Sequence, residues 1–441
     1  MIDSSQPPGR TFRFACPPQD MPLALALLAG QGYAFEPEPF WPLAARLTAE
    51  PRPLGSSVAN FFGFIHVQDK SSMLPPLLLA PARGAAVLDL CASPGSKTGQ
   101  LAQLVGPEGF VLGNEPGGAR LETLRRTLER VNALPCATCS FPGQEAPLAG
   151  GRWPFILLDP PCSGLGTLDK HPEARRWQGA RAQPLERLQR DLLARASALL
   201  APGGVLLYST CTTSPAENEA QTAWALDALG LELEPLAPPP GFVARPPALP
   251  GLDGVLPVDG DASGAQGFYL ARLRRPGAGA DPGPADAAGA ADAAGAADAE
   301  AEACAAPPPR GRLLDAAETA ACAEAGAEFT RLPPGELRRF GDALFLVHRR
   351  ARGLLPPGLP WQGLPLGRFQ AGRFRPNPRL RAILPADPAC AVHADSAQDI
   401  ARLLTGQALP APRAPFAVLH FQGRPVCRLA VKGSRALWAG R

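Results

Sequence analysis

Between residues 86 and 229 the chain alternates two kinds of segment, and that alternation limits its possible folds more than any other feature. Short apolar runs at 86–90, 109–113, 155–158 and 204–209 are each followed by a longer run with helical spacing, at 97–105, 120–132, 184–200 and 217–229. Parallel strands need long crossover connections, usually helices, so this order predicts an α/β fold with a mostly parallel sheet and helices on both faces. Ligands of such sheets bind beyond the carboxyl ends of the strands. The residues that close each apolar run are therefore the first candidates for a functional site.

At 441 residues and 46% apolar composition, the chain is long enough for two or three domains with real cores. Its charge is unevenly spread. Residues 1–275 carry 23 Lys+Arg against 25 Asp+Glu, residues 276–309 carry none against 6, and residues 310–441 carry 20 against 9. A basic block beside a nearly neutral one suggests that a polyanion is gripped at one end and processed at the other, with affinity that falls steeply as salt rises. Residues 276–309 repeat Ala-Ala-Asp-Ala-Ala-Gly and contain no Val, Ile, Leu or aromatic residue. Such a stretch cannot bury a core and is expected to be a disordered linker.

No stretch reaches eighteen uninterrupted apolar residues, and the ten cysteines are scattered rather than densely spaced. A cytoplasmic protein with reduced thiols and no membrane association is expected. Cys136 and Cys139 lack a second pair, and the five histidines never fall at metal-ligand spacing, so no metal is expected.

After the run at 86–90 comes a small-residue loop, Cys91-Ala92-Ser93-Pro94-Gly95-Ser96-Lys97, which would let backbone N–H groups and a helix N-terminus approach a ligand. Gly113-Asn114-Glu115 closes the next strand, where an acid can take both ribose hydroxyls of an adenosine. Two further strand ends carry cysteines, Cys162 in Asp159-Pro160-Pro161-Cys162 and Cys211 in Ser209-Thr210-Cys211-Thr212, and paired thiols suggest covalent chemistry. Only four lysines, 70, 97, 170 and 432, stand against 39 arginines; Lys97 closes the small-residue loop, Lys70 lies in Gln68-Asp69-Lys70-Ser71-Ser72-Met73, and Lys170 follows the Cys162 loop in Asp169-Lys170-His171-Pro172. A compact ammonium is not interchangeable with a planar guanidinium at a tight site.

Taken together, the segment Val87-Leu88-Asp89-Leu90-Cys91-Ala92-Ser93-Pro94-Gly95-Ser96-Lys97-Thr98 and the two cysteine segments resemble the Nol/Nop/Sun family of S-adenosylmethionine-dependent RNA cytosine-5 methyltransferases, and its bacterial ribosomal-RNA branch most closely. The likeness spans nearly all of residues 10–275, including Pro53-Leu54-Gly55-Ser56, Phe64-Ile65-His66-Val67-Gln68-Asp69 and Gly267-Phe268-Tyr269-Leu270-Ala271. Gly367-Arg368-Phe369-Gln370-Ala371-Gly372-Arg373-Phe374 is similar to the PUA-like RNA-binding module of that branch. The resemblance implies a small N-terminal α+β domain at 1–65, a Rossmann-like methyltransferase domain at 66–275, the linker at 276–309 and a basic, β-rich PUA-like RNA-binding module at 310–441.

The resemblance also implies roles. Cys91, Ala92, Ser93, Pro94, Gly95, Ser96 and Lys97 would hold the methionine portion of S-adenosylmethionine, Glu115 its ribose, and Asp159 would border both cofactor and base. Pro142, in Phe141-Pro142-Gly143, stands where family members commonly carry an Asp that addresses the adenine; proline offers neither a carboxylate nor an N–H. Carbon 5 of cytosine is too weak a nucleophile to attack a sulfonium methyl until a thiolate adds at carbon 6. By resemblance Cys211 is that nucleophile, Cys162 assists proton removal or product release, and Asp159 holds the cytosine edge, with Lys97 bridging cofactor loop and reaction centre. Lys170, Arg175, Arg176 and Trp177 would supply phosphate contacts and a stacking face for an unstacked base.

The expected partner is RNA, either ribosomal RNA or a small-subunit assembly intermediate, met by a monomer. Three other readings remain at this stage. An amino methyltransferase would use Asp159-Pro160-Pro161, but has no use for Cys162 and Cys211. A DNA cytosine methyltransferase would use Cys162 as nucleophile. A non-catalytic RNA-binding or ribosome-assembly factor would retain the fold alone.

Overall fold

The computed structural model describes residues 9–165, 182–277, 311–385, 388 and 390–440. Lys170, Arg175, Arg176 and Trp177 lie outside the described residues, as does the expected linker beyond Gly277.

A nine-stranded central sheet contains β1 (Ala86–Asp89), β2 (Phe110–Asn114), β3 (Cys136–Cys139), β4 (Trp153–Leu158), β5 (Leu200–Thr210), β6 (Glu232–Glu234), β7 (Leu256–Val258), β8 (Phe268–Arg274) and β9 (Trp361–Gly363). Its order is β6-β8-β5-β4-β1-β2-β3-β9, and β7 pairs with β8. β1 to β5 run parallel to one another, and β8 is antiparallel to β5. All four expected strands are present, and the four expected helices are α1 (Ser96–Val105), α2 (Gly118–Arg130), α3 (Ala182–Leu199) and α4 (Glu219–Leu229). The Rossmann-like expectation thus holds. β1 and β2 are buried on both faces, as a parallel sheet covered by helices requires.

α1 buries Thr98, Leu101, Ala102 and Val105, one stripe at helical spacing, and stops at Gly106, whose φ of 71° lies outside the helical region. α2 buries Leu121, Leu124 and Leu128 in the same way. The chain leaves β1 toward β2 and leaves β4 toward β5, so its direction of travel reverses between β1 and β4. A crevice opens there, at the strands' carboxyl ends.

Before this sheet, four antiparallel strands (Ala34–Pro37, Ala44–Ala49, Thr11–Phe14, Ile65–Val67, in spatial order) pack beside α2. The approach is close: at Gly63 (φ 69°) an added Cβ would fall 1.7 Å from the Arg130 carbonyl oxygen.

After residue 310 come two five-stranded sheets. Neither is held by the chain connection alone. β9 adds antiparallel to β3, pairing Trp361 with Cys139 and Gly363 with Ala137, and so covers what would be a bare edge. Leu344, Leu366, Phe369 and Phe374 join the core of the central domain, while Leu419, Ile400 and Trp438 join that of the N-terminal sheet. Trp438 meets Phe61 and Phe62 edge-on at 5.6 and 5.5 Å. Asn377 donates to Glu129 at 2.7 Å, and Arg381 donates to the Phe62 carbonyl at 2.5 Å. The basic block is therefore fused into both cores.

Candidate active site

The crevice between β1 and β4 gathers most of the described site residues expected from the sequence. β1 ends at Asp89, and the chain turns through Cys91–Gly95 into α1. Gly95 makes the turn possible: its φ is 102°, and a Cβ there would press on Leu124 and Thr127 of α2 at 3.0 and 3.1 Å. α1 then starts with Ser96 and Lys97.

Lys97 Nζ reaches Asp159 Oδ2 at 2.6 Å, and Ser209 Oγ donates to Asp159 Oδ1 at 2.8 Å, so both carboxylate oxygens are fixed. Burial works against the Lys97 ammonium, but the contact with Asp159 outweighs it and the pKa is raised. The Lys97 ammonium therefore keeps its proton at neutral pH. The Lys97 ammonium also lies 5.3 Å from the centroid of the Phe268 ring.

Cys162 and Cys211, on the loops after β4 and β5, bring their sulfurs to 3.2 Å. The contact separates their acidities. The hydrogen bond from Cys162 lowers the Cys211 pKa, with help from Lys97 against burial and Asp159. The same hydrogen bond, then burial, raises Cys162 well above an ordinary thiol. Of the two, Cys211 is thus the more acidic thiol and Cys162 the less acidic. By contrast burial, with Asp89, Asp159 and Glu115 nearby, pushes Cys91 well up, leaving an inert thiol.

At the other end of the crevice, Asp89 is 1% exposed. Its Oδ2 accepts from Thr98 at 2.7 Å, while Oδ1 is buried without a partner. Burial, opposed by the Thr98 bond and reinforced by Asp159, raises its pKa to about 7. Glu115, after β2, accepts from Gly117 N at 3.0 Å and from Arg120 Nε at 3.1 Å. Arg120 also donates to the Ser93 carbonyl at 3.3 Å and accepts from Ser93 Oγ at 3.0 Å, tying the two loops together. The Phe141 N–H donates to Asn114 Oδ1 at 3.1 Å, which brings the loop of Pro142 beside the end of β2.

Ser96 is likewise engaged by protein. Ser96 Oγ lies 2.8 Å from His66 Nε2, so its hydroxyl docks the N-terminal sheet onto the start of α1. The sequence reading passed over Asp89, Arg120 and Ser209, although two of them lie inside the quoted motifs. The only signal was their place at a strand end. It also passed over Glu217, buried behind the cysteine loops. Among the described residues no three His, Cys, Asp or Glu gather as metal ligands, and no helix is long and apolar enough to cross a membrane.

Residues 76–273 match the family model described as 16S rRNA methyltransferase RsmB/F. The ribosomal RNA small subunit methyltransferase F of Cronobacter sakazakii is 36% identical over 271 residues, covering 59% of this chain and 55% of that protein. The protein of the same name from Escherichia coli O9:H4 is 36% identical over 263 residues, covering 57% and 54%. The chain thus spans about half the length of the curated relatives it matches. A crystal structure of a methyltransferase homolog protein from Pyrococcus horikoshii is 31% identical, covers 61% of this chain and 87% of its own, and superposes with a TM-score of 0.50. With the strand order, the paired cysteines and these likenesses together, the chain belongs to the RsmB/F family of 16S rRNA methyltransferases, within the Nol/Nop/Sun proteins.

Proposed function

We propose that the chain transfers a methyl group from S-adenosylmethionine to carbon 5 of a cytosine in RNA, through a transient bond between Cys211 and carbon 6. The observation that carries this reading is the 3.2 Å contact of Cys162 and Cys211 next to the Lys97–Asp159 pair, at the crevice where the sheet binds ligands. The residues present fit the cofactor. Asp89, Glu115 and Asp159 outnumber Lys97 and Arg120, and the orphaned Asp89 Oδ1 suits a cationic ligand atom. Glu115 would hold the ribose, and the loop from Cys91 to Ser96 the methionine portion. When bound, the cofactor supplies an electrophilic methyl group.

The chain's own residues do the rest. Cys211 would add as thiolate to carbon 6, and the electron pair released at carbon 5 would take the methyl as its bond to the sulfonium sulfur breaks, leaving a neutral thioether. Asp159, fixed by Lys97 and Ser209, accepts a hydrogen bond from the exocyclic amine. Once the Cys211 charge is spent in the adduct, the main influence holding the Cys162 proton is gone. Cys162 can then release its own proton to solvent and, as the thiolate, take the carbon-5 proton, while the carbon–sulfur bond breaks and returns its electron pair to Cys211 as the ring double bond re-forms.

The substrate is ribosomal RNA of the small subunit or an assembly intermediate, met by a monomer in the cytoplasm. Lys170, Arg175, Arg176, Trp177 and the basic block at 310–441 hold its backbone. A catalytically silent factor would have no use for two thiols in contact beside a buried ion pair. Mapping 5-methylcytosine in cellular RNA with and without the protein tests the proposal. Loss of the mark at defined ribosomal cytosines is expected, and an unchanged map overturns it.

A further inference from the structure

Behind the two sulfurs lies a buried polar cluster that the chemistry above leaves unused. Ser163 follows Cys162 and Thr212 follows Cys211, and both converge on the carboxylate of Glu217, just before α4. Glu217 is 1% exposed. Its Oε2 accepts from Ser163 N at 2.9 Å and Gln189 Nε2 at 3.0 Å, and its Oε1 accepts from Ser163 Oγ at 2.5 Å and Thr212 Oγ1 at 3.4 Å. Ser163 Oγ and Thr212 Oγ1 are themselves 2.8 Å apart. Gln189 of α3 also donates to the Pro161 carbonyl at 3.0 Å, and Tyr208 Oη donates to the Glu217 carbonyl at 2.6 Å.

Among the described residues no lysine or arginine pairs with this carboxylate; its partners are all neutral. A buried acid satisfied only by neutral partners is an expensive way to join two loops, since apolar packing would do so without burying so polar a group. What the carboxylate adds is direction. Its two oxygens accept from both loops at once and fix the residue next to each cysteine. The groups that face Cys211 are Cys162, Asp159 and Lys97, so Glu217 reaches the sulfur only through the loops it joins.

We propose that Glu217 is a positioning residue, a buried clasp that holds the Cys162 and Cys211 loops in register and so sets the 3.2 Å contact between their sulfurs. The purpose of the clasp rests on the covalent reading above, but its existence can be tested without RNA. The full chain and its Glu217→Gln, Glu217→Ala and Ser163→Ala variants are treated with iodoacetamide across a pH series, and alkylation is followed at the Cys211 peptide.

Loss of the clasp separates the sulfurs and deprives Cys211 of its donor, so the alkylation profile moves to higher pH in Glu217→Ala and Ser163→Ala. Glu217→Gln, which keeps the shape and one acceptor, falls between them and the parent. Turnover on RNA falls on the order of a hundredfold in Glu217→Ala, the scale of a small misplacement of reacting groups, while cofactor affinity measured by calorimetry stays unchanged. Ser163→Ala, which leaves the carboxylate in place, carries the test if Glu217→Ala does not fold. Folded variants with the parent's alkylation profile and turnover, losing only thermal stability, overturn the proposal. A shifted profile in a protein that methylates no RNA leaves the clasp standing and removes the proposed function instead.

Discussion

The two ends of the crevice are finished to different degrees. Around the sulfurs, Asp159 uses both oxygens, Lys97 is paired, Cys162 and Cys211 meet each other, and the Glu217 carboxylate accepts from three side chains and one backbone N–H. At the other end, which we propose holds the cofactor, Asp89 keeps one buried oxygen without a partner, and its pKa is raised to about 7, first by burial. The first end is closed by its own hydrogen bonds, whereas the second keeps a buried acceptor unused. On the proposed reading the contrast fits, since reacting groups gain from being fixed in advance and Asp89 would face a cationic part of the cofactor.

Breaking the finished end should have the largest effect. Lys97→Met leaves Asp159 without its counter-charge and Cys211 without a nearby cation, and should lower kcat by on the order of a hundredfold or more. The check is single-turnover methyl transfer, and a parent-like rate would mean that the ion pair is only structural.

At the unfinished end, Asp89→Asn should weaken S-adenosylmethionine binding by about 2 kcal/mol, the scale of a hydrogen bond to a charged group. Parent affinity should rise as pH passes about 7 and Asp89 ionises, and the variant should lose that dependence. Stability moves the other way. A carboxyl whose folded pKa is raised keeps its proton in the native state while the unfolded chain loses it, so its contribution falls as pH rises from about 4 to about 7. Asparagine cannot ionise, so the variant should melt a few degrees above the parent at alkaline pH, with the advantage gone in acid. Calorimetry and melting across pH read both effects, and a variant that binds normally would show that the ligand avoids Asp89.

The smallest effect is expected at the adenine side. Pro142→Asp should tighten cofactor binding by about 1 kcal/mol, one added hydrogen bond. Unchanged or weaker affinity in titration would mean that proline's backbone geometry belongs to this pocket.

The central sheet was legible because its strands and helices differ in hydrophobic period and its strand ends carry unusual residues. Cys162 and Cys211 drew notice for the same reason, and so did Lys97 in a chain nearly stripped of lysine. β3 escaped because Cys136–Cys139 is only four residues long with a threonine inside it, too short for a period to show. β9 escaped because pairing between Trp361 and Cys139 is a tertiary event with no local signal. The same holds for the basic block. Its charge and short β runs could be read, but the joining of its apolar residues to two distant cores could not. Glu217 was passed over because a lone acid in a polar stretch ordinarily faces water, and only the fold shows it enclosed by Ser163, Thr212 and Gln189.

Trapping the adduct tests the division of labour between the sulfurs most directly. RNA is incubated with S-adenosylmethionine and either Cys211→Ala or Cys162→Ala, and the products are run under denaturing conditions. Cys211→Ala should give neither methylation nor adduct, and Cys162→Ala should accumulate a denaturation-resistant protein–RNA complex, because addition proceeds while release is slow. An adduct that forms in Cys211→Ala and is missing in Cys162→Ala would contradict the account, making Cys162 the nucleophile.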